Sequence, residues 1–216
     1  MSQKDRYIPA FGHERLTPLY DPLLKWVMRE GTFKRELIRQ ANIGKGQRVL
    51  DLGCGTATLT LLVKQTHPDA DVVGLDGDLQ VLEIGRGKAV KAGVSITLDH
   101  GMAFDLPYPD NSFDRVLSSL MFHHLSTEDK QRTLGETFRV LRPGGELYIV
   151  DFGKPHHALS HVISLIGRRL EHAADNIQGL LPEMIRRAGF VEVEEPTRFT
   201  TIFGALSLYK ARKPQM

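Results

Sequence analysis

Val49-Leu50-Asp51-Leu52-Gly53-Cys54-Gly55-Thr56-Ala57-Thr58-Leu59 is the stretch from which the rest of this chain is read. Val49, Leu50 and Leu52 make a short apolar run that suits a strand covered on both faces. Gly53 and Gly55 permit a tight turn and let a ligand lie close against bare backbone. A helix begins just beyond, and the amide groups at its start face the same place. Asp51 is the odd residue. A carboxylate beside the turn would repel a pyrophosphate and would favour a cationic or hydroxyl-bearing ligand.

The chain has 216 residues, enough for one domain with a sizeable core. Its 41% hydrophobic and 25% charged content is ordinary for a globular protein. A formal net charge of +2 without long basic runs does not point to nucleic acid as a partner. Cys54 is the one cysteine, so an internal disulfide and any multi-thiol metal site are excluded. No apolar run approaches the roughly 18 residues of a membrane span. Met1 to Arg6 is polar with no signal-peptide core after it, and a cytoplasmic protein is expected.

Residues 1–45 read as an N-terminal helical cap ahead of a core spanning 46–216. Pro18 and Pro22 interrupt the first helical pattern, and Thr32 caps a second helix with Phe33, Leu37, Ile38 and Ala41 on its apolar side. Thr58–Lys64 is an expected helix, Asp71–Leu75 a strand, and Leu79–Ala92 a helix closed by Gly93. Strands are expected at Val94–Leu98, Phe113–Ser119 and Glu146–Asp151. Between the last two lies a helix opened by Ser126 with Asp129, carrying Leu134, Phe138 and Leu141 on its core face and stopped by Pro143-Gly144-Gly145. Lys154–Ala174 and Gln178–Ala188 read as helices, and Phe190–Glu194 and Thr200–Ala211 as two last strands. Strands alternating with helices imply a doubly wound, mostly parallel α/β sheet of seven strands.

In such a sheet ligands bind beyond the carboxyl ends of the strands, near the reversal in strand order. Five strand ends carry polar or glycine-rich features: the turn 51–55, Asp76-Gly77, Met102-Ala103, Ser119 and Asp151. Asp76 follows Gly55 by 21 positions, the usual spacing for an acid that bonds both ribose hydroxyls. The pattern admits a nicotinamide or an adenosyl-sulfonium ligand. Thr58 where a dinucleotide fingerprint needs glycine, and Asp51 near two phosphates, both count against the nicotinamide.

Val49-Leu-Asp-Leu-Gly-Cys-Gly-Thr56, Gly74-Leu-Asp-Gly77, Leu106-Pro-Tyr-Pro-Asp-Asn-Ser-Phe-Asp114 and Leu141-Arg-Pro-Gly-Gly145 together resemble the class I S-adenosylmethionine-dependent methyltransferases over residues ~45–151. The likeness is greatest to the small-molecule group that includes the ubiquinone/menaquinone biosynthesis C-methyltransferases. Gly204-Ala-Leu-Ser-Leu-Tyr-Lys-Ala-Arg212 is similar to that group's last strand, and Tyr20-Asp21 to its cap. The resemblance implies a Rossmann-like fold and S-adenosylmethionine as the donor. It also implies that Asp51, Gly53, Cys54 and Gly55 line the methionine part, that Asp76 and Gly77 meet the ribose, that Met102 and Ala103 flank the adenine, and that Ser119 borders the methyl group. Two departures stand out. Met102 cannot accept the adenine amino group as the acid or amide of many relatives does. Ala57 replaces a frequent glycine, a change expected to cost little.

The acceptor side is less specified. His123-His124 follow the fourth strand, and His123 is the first candidate base, Asp151 the second. For the pair the competing reading is that one histidine packs or caps and the other is solvated. His124 is a candidate for the acceptor pocket, as are Tyr7, Tyr20 and Trp26, with core packing of the cap as the competing reading for those three. Cys54 reads as a small residue fitted to a turn, since no activating base is evident. His156, His157 and His161 include an i,i+4 pair but lack a third ligand at fitting spacing, so no metal is expected. The helix around Leu159–Leu170, with Arg168 and Arg169, reads first as a packing helix and second as a face for peripheral membrane contact. Strand four ends Ser118-Ser119-Leu120-Met121 without an Asn/Asp-Pro-Pro-aromatic motif, which argues against amide or exocyclic amino nitrogens as acceptors. Methyl transfer to a small molecule is the expected function. Its competitors are a membrane-surface quinone-precursor or phospholipid methyltransferase and a protein that binds S-adenosylmethionine without catalysis. Oligomeric state is not readable.

Overall fold

The computed structural model describes residues 30–154, 174–201 and 204–215. In chain order the elements are α1 (Glu30–Ala41), β1 (Arg48–Leu52), α2 (Thr58–Thr66), β2 (Asp71–Asp76), α3 (Leu79–Ala92), β3 (Thr97–His100) and β4 (Phe113–Ser119). After a 3-10 turn at Phe122–His124 come α4 (Thr127–Val140), β5 (Leu141–Phe152), α5 (Ala174–Gln178), α6 (Leu181–Arg187), β6 (Val191–Thr201) and β7 (Gly204–Arg212). The seven strands form one sheet in the order β3-β2-β1-β4-β5-β7-β6. β1 to β5 are parallel, and β7 inserts antiparallel between β5 and β6. The order reverses between β1 and β4, and the carboxyl ends of those two strands frame the site.

Alternation along β1 explains why helices cover both faces. Val49 joins Phe33, Leu37 and Ile38 of α1 and Leu59 and Val63 of α2 in one core layer. Leu50 and Leu52 join Leu134 of α4 and Met184 and Ile185 of α6 in the other. α1, expected as part of a cap, is thus a layer of the sandwich packed on the sheet. The earlier cap segment, with Tyr7, Tyr20 and Trp26, lies outside the described residues, as do His156, His157, His161 and the expected helix around Leu159–Leu170. Among the described residues no helix is long and apolar enough to cross a membrane.

Thr32, expected as a cap, lies inside α1, and four further differences in boundary each have a local reason. β3 starts at Thr97 because Val94 belongs to the end of α3: Gly93 takes φ 64 and the Val94 N–H donates to Ala89 O. Leu141 opens β5 and does not end α4, since Arg142 precedes Pro143 and such residues avoid helical backbone. The expected helix 178–188 is two pieces. Gly179, at φ 76, closes α5, and α6 restarts with a proline in its first turn. Thr200 and Thr201 end β6 and do not open β7; the sheet-edge position of β6 tolerates Pro196. The Ser126 cap forms as expected, accepting from Asp129 N–H at 3.1 Å, and Asp78 caps α3 by accepting from Gln80 N–H at 2.7 Å.

Candidate active site

The turn after β1 is closed from within. The Gly53 and Cys54 N–H groups donate to Leu75 O at 2.9 and 3.0 Å, and the Gly55 N–H donates to Asp76 Oδ2 at 2.8 Å. Those amides therefore hold the sheet together and are not aimed at a ligand, so the turn is not a phosphate cradle. A side chain on Gly55 would stand in open space, whereas one on Gly53 would strike Met121. The wall beside Gly55 is bare backbone, which suits the neutral or cationic part of a ligand.

Asp76 ends β2 half-buried, with Oδ1 accepting the Asp78 N–H at 3.0 Å. Burial pushes its carboxyl up, against the pull of the Gly55 and Asp78 amides. Each oxygen keeps a lone pair for a further donor, as two ribose hydroxyls would require. Gly77 lies alongside, its carbonyl 3.1 Å from His100 Nε2. Met102 and Ala103 follow β3, where the Asp105 N–H donates to Met102 O at 3.1 Å. Met102 is half-buried and apolar, offering contact to a ring face and no acceptor from its side chain.

Asp51 is placed differently from its reading as a residue open to ligand. It is 1% exposed, and its Oδ2 accepts from Thr60 Oγ1 of α2 at 2.6 Å. Burial pushes its carboxyl up to about 6, while Thr60 and the nearby Lys34 of α1 pull the other way. Lys34 is itself buried and paired with Glu30. Thr60 and Lys34 had a signal in the sequence: both are polar residues on the buried faces of their helices. Cys54 also turns inward. Its thiol packs beside Gly74, where any Cβ would come within 2.9 Å of Sγ, and burial pushes it up, so it is an inert packing group. Ala57 has φ 58, the left-handed region that favours glycine, so the change from glycine carries a real cost.

Ser119, at the end of β4, has a buried Oγ with no partner among the described residues. Leu120 then takes φ 58, bending the chain into the 3-10 turn that carries His123. His123 is 8% exposed, and its Nδ1 lies 3.0 Å from Oδ1 of the fully buried Asp151. Asp151 also accepts the Phe152 N–H at 2.7 Å. Burial alone would push the Asp151 carboxyl up; the facing His123 and the Phe152 amide outweigh it and hold it below the ordinary range. An ionised Asp151 accepts a hydrogen bond from the Nδ1–H, which leaves Nε2 as the unprotonated, basic nitrogen. The two candidate bases are thus one unit. The His124 ring lies 4.0 Å from that of His123. Tyr20 lies outside the described residues.

Residues 49–145 match a family model described as a methyltransferase domain. The chain is 31% identical over 224 residues to the demethylmenaquinone methyltransferase of Symbiobacterium thermophilum, covering 89% of this chain and 88% of that protein. It is 28% identical over 238 residues to the demethylmenaquinone methyltransferase of Anoxybacillus flavithermus, covering 99% and 98% respectively. A solved structure of Haemonchus contortus phosphoethanolamine N-methyltransferase 2, with phosphomonomethylethanolamine and S-adenosylhomocysteine, superposes with a TM-score of 0.74. At 18% identity, over 89% of this chain and 56% of that one, this likeness concerns the fold.

Proposed function

This chain belongs to the class I S-adenosylmethionine-dependent methyltransferases, in the menaquinone-type group, and from that premise we propose that it methylates a ring carbon of a demethylmenaquinone-type acceptor in its reduced form. It is an enzyme that moves a methyl group from S-adenosylmethionine to a small molecule. The names of the two relatives support the choice of acceptor. The buried His123–Asp151 pair, at the strand ends beside the 51–55 turn, carries the chemical reading.

When bound, S-adenosylmethionine supplies a methyl group already activated by its sulfonium. In this reading Asp76 takes the ribose hydroxyls and Gly77 follows along the backbone. Gly53 and Gly55 let the methionine part lie against the turn, with Cys54 contributing only its main chain. Asp51 holds the start of α2 and keeps a buried negative charge behind that turn. Met102 and Ala103 flank the adenine, and Ser119 offers its unpartnered hydroxyl beside the transferred group. Alignment of acceptor and donor can lower the barrier by about 7–11 kcal/mol. A hydroquinone carbon becomes a strong nucleophile once a ring hydroxyl loses its proton, and His123 Nε2 takes that proton while Asp151 steadies the imidazolium. The carbon gains the methyl as the methyl–sulfur bond breaks. The carbon's own proton then leaves to solvent to restore the aromatic ring, and the imidazolium returns its proton to the ring oxygen. Loss of such a base costs about 10²–10⁴ in rate.

The test is S-adenosylhomocysteine release with short-chain demethylmenaquinol against its oxidised form and against nitrogen acceptors. Turnover confined to the reduced quinone is expected; equal turnover of a phosphoethanolamine acceptor would sink the reading. A polyprenyl tail would keep such an acceptor in a bilayer, so a cytoplasmic enzyme would meet it at the membrane surface. Sedimentation with anionic liposomes tests that contact.

A further inference from the structure

We propose that Asn176 is an acceptor-binding residue whose carboxamide holds a ring oxygen of the methyl acceptor beside the His123–Asp151 pair. Asn176 is fully buried, and neither its Oδ1 nor its Nδ2 has a hydrogen-bond partner among the described residues. A buried carboxamide with all its hydrogen-bonding capacity unused is unfavourable for the fold alone, and such groups are retained where something else satisfies them.

Its location says what that something is. α5 packs against the 3-10 turn that carries His123 and against β5, which carries Asp151. The preceding residue fixes the helix there: Asp175 Oδ2 accepts from Thr127 Oγ1 at 2.6 Å and from Lys130 Nζ at 3.1 Å, both on α4. Ser207, the cross-strand neighbour of Asp151, is buried too. One donor and one acceptor side by side suit a hydroxyl or carbonyl oxygen and do not select a cation or a phosphate. A dihydroxynaphthalene ring carries two such oxygens, one for His123 and one to be held. The choice of ring rests on the acceptor reading above; the role of Asn176 in binding does not.

Asn176→Leu keeps the volume and removes both polar atoms. The expected result is a KM for short-chain demethylmenaquinol raised at least tenfold, a smaller change in kcat, S-adenosylhomocysteine affinity within twofold of wild type, and a thermal midpoint unchanged or raised. An amide that served only the fold would lower the midpoint and leave KM alone, and that result overturns the proposal. Should the leucine variant not fold, Asn176→Asp, which loses the donor, is expected to raise KM at least fivefold, and an unchanged KM overturns the proposal equally. If wild type does not methylate demethylmenaquinol, the acceptor reading fails. Calorimetry with 1,4-dihydroxynaphthalene on protein saturated with S-adenosylhomocysteine then decides Asn176: binding at least tenfold weaker in the variant supports it, while equal binding, or none to either protein, overturns it.

Discussion

His123 Nδ1 faces Asp151 Oδ1 across 3.0 Å, a bond that joins the turn after β4 to the end of β5. Neither strand end alone makes a base; the pairing fixes which imidazole nitrogen is free. Asp151→Asn keeps the shape but lets the amide donate to Nδ1, which presents the wrong tautomer to the acceptor. The expected loss in kcat is about 10²–10³, with S-adenosylmethionine affinity by calorimetry unchanged. His123→Ala with wild-type turnover would remove the base from the mechanism.

The same Asp151 contributes to stability with a defined pH dependence. Its carboxyl lies below 3.8 in the fold, so the unfolded chain takes up the proton first as pH falls. Its contribution is fully present above about pH 4 and is lost as pH drops through the lowered value. Urea midpoints of wild type and Asp151→Asn should therefore differ at neutral pH and converge in acid, whereas a constant difference would contradict a buried, ionised Asp151.

Asp51 behaves in the opposite sense. Its carboxyl titrates at about 6 in the fold against 3.8 for an ordinary aspartate, so the folded chain binds more protons between those values. Stability falls as pH rises through that window, by up to about 3 kcal/mol. Asp51→Asn should raise the urea midpoint above pH 6 and make little difference near pH 4. The same variant should weaken S-adenosylmethionine binding about tenfold or more, since natural proteins keep such costs where function needs them. A more stable variant with unchanged binding would reduce Asp51 to a cap for α2.

Gly53 couples the cofactor turn to the base. It takes φ 71, and a Cβ there would come within 2.7 Å of Met121 Cβ and nearer still to its Cγ. Met121 leads directly into the turn bearing His123, so relief of the clash moves that turn. Gly53→Ala should lose kcat by about tenfold or more, beyond the 1–2 kcal/mol of stability that left-handed backbone costs an alanine. Fluorescence-monitored unfolding beside turnover separates the two effects.

Much of this was legible in the residues, and the failures share a cause. The bounds of α3 and β4 are legible to the residue because Gly93 closes the one and Asn111 and Ser112 precede the other. The strand ends at 51–55, 76, 119 and 151 follow from chain order and the rule for open sheets. What a one-dimensional reading lacks is direction. Asp51 reads as facing the ligand, yet its side chain turns inward, a choice made by Thr60 from another element, while Cys54 turns inward beside Gly74 as a small residue fitted to the turn. Asn176 carried no signal at all: it lies in a five-residue helix with no period to read, and only its burial beside the His123 turn marks it.

Ala57 and Gly85 are the sharpest case of one residue answering another across the fold. Ala57 holds a left-handed backbone with its methyl fully buried, and a Cβ on Gly85 of α3 would stand 3.0 Å from that methyl and 3.0 Å from Leu98 Cδ1. The methyl thus occupies the space that the glycine leaves, which offsets part of the backbone cost. Alanine at 85 gains about 1 kcal/mol in helix propensity but overpacks the contact by about 1–3 kcal/mol. Gly85→Ala should therefore destabilise wild type by about 1 kcal/mol. In an Ala57→Gly background only the Leu98 contact remains, and the same change should become neutral or stabilising. The double-mutant cycle, read from urea unfolding, should give a coupling of about 1 kcal/mol. Additive effects would mean that the two residues do not share that space.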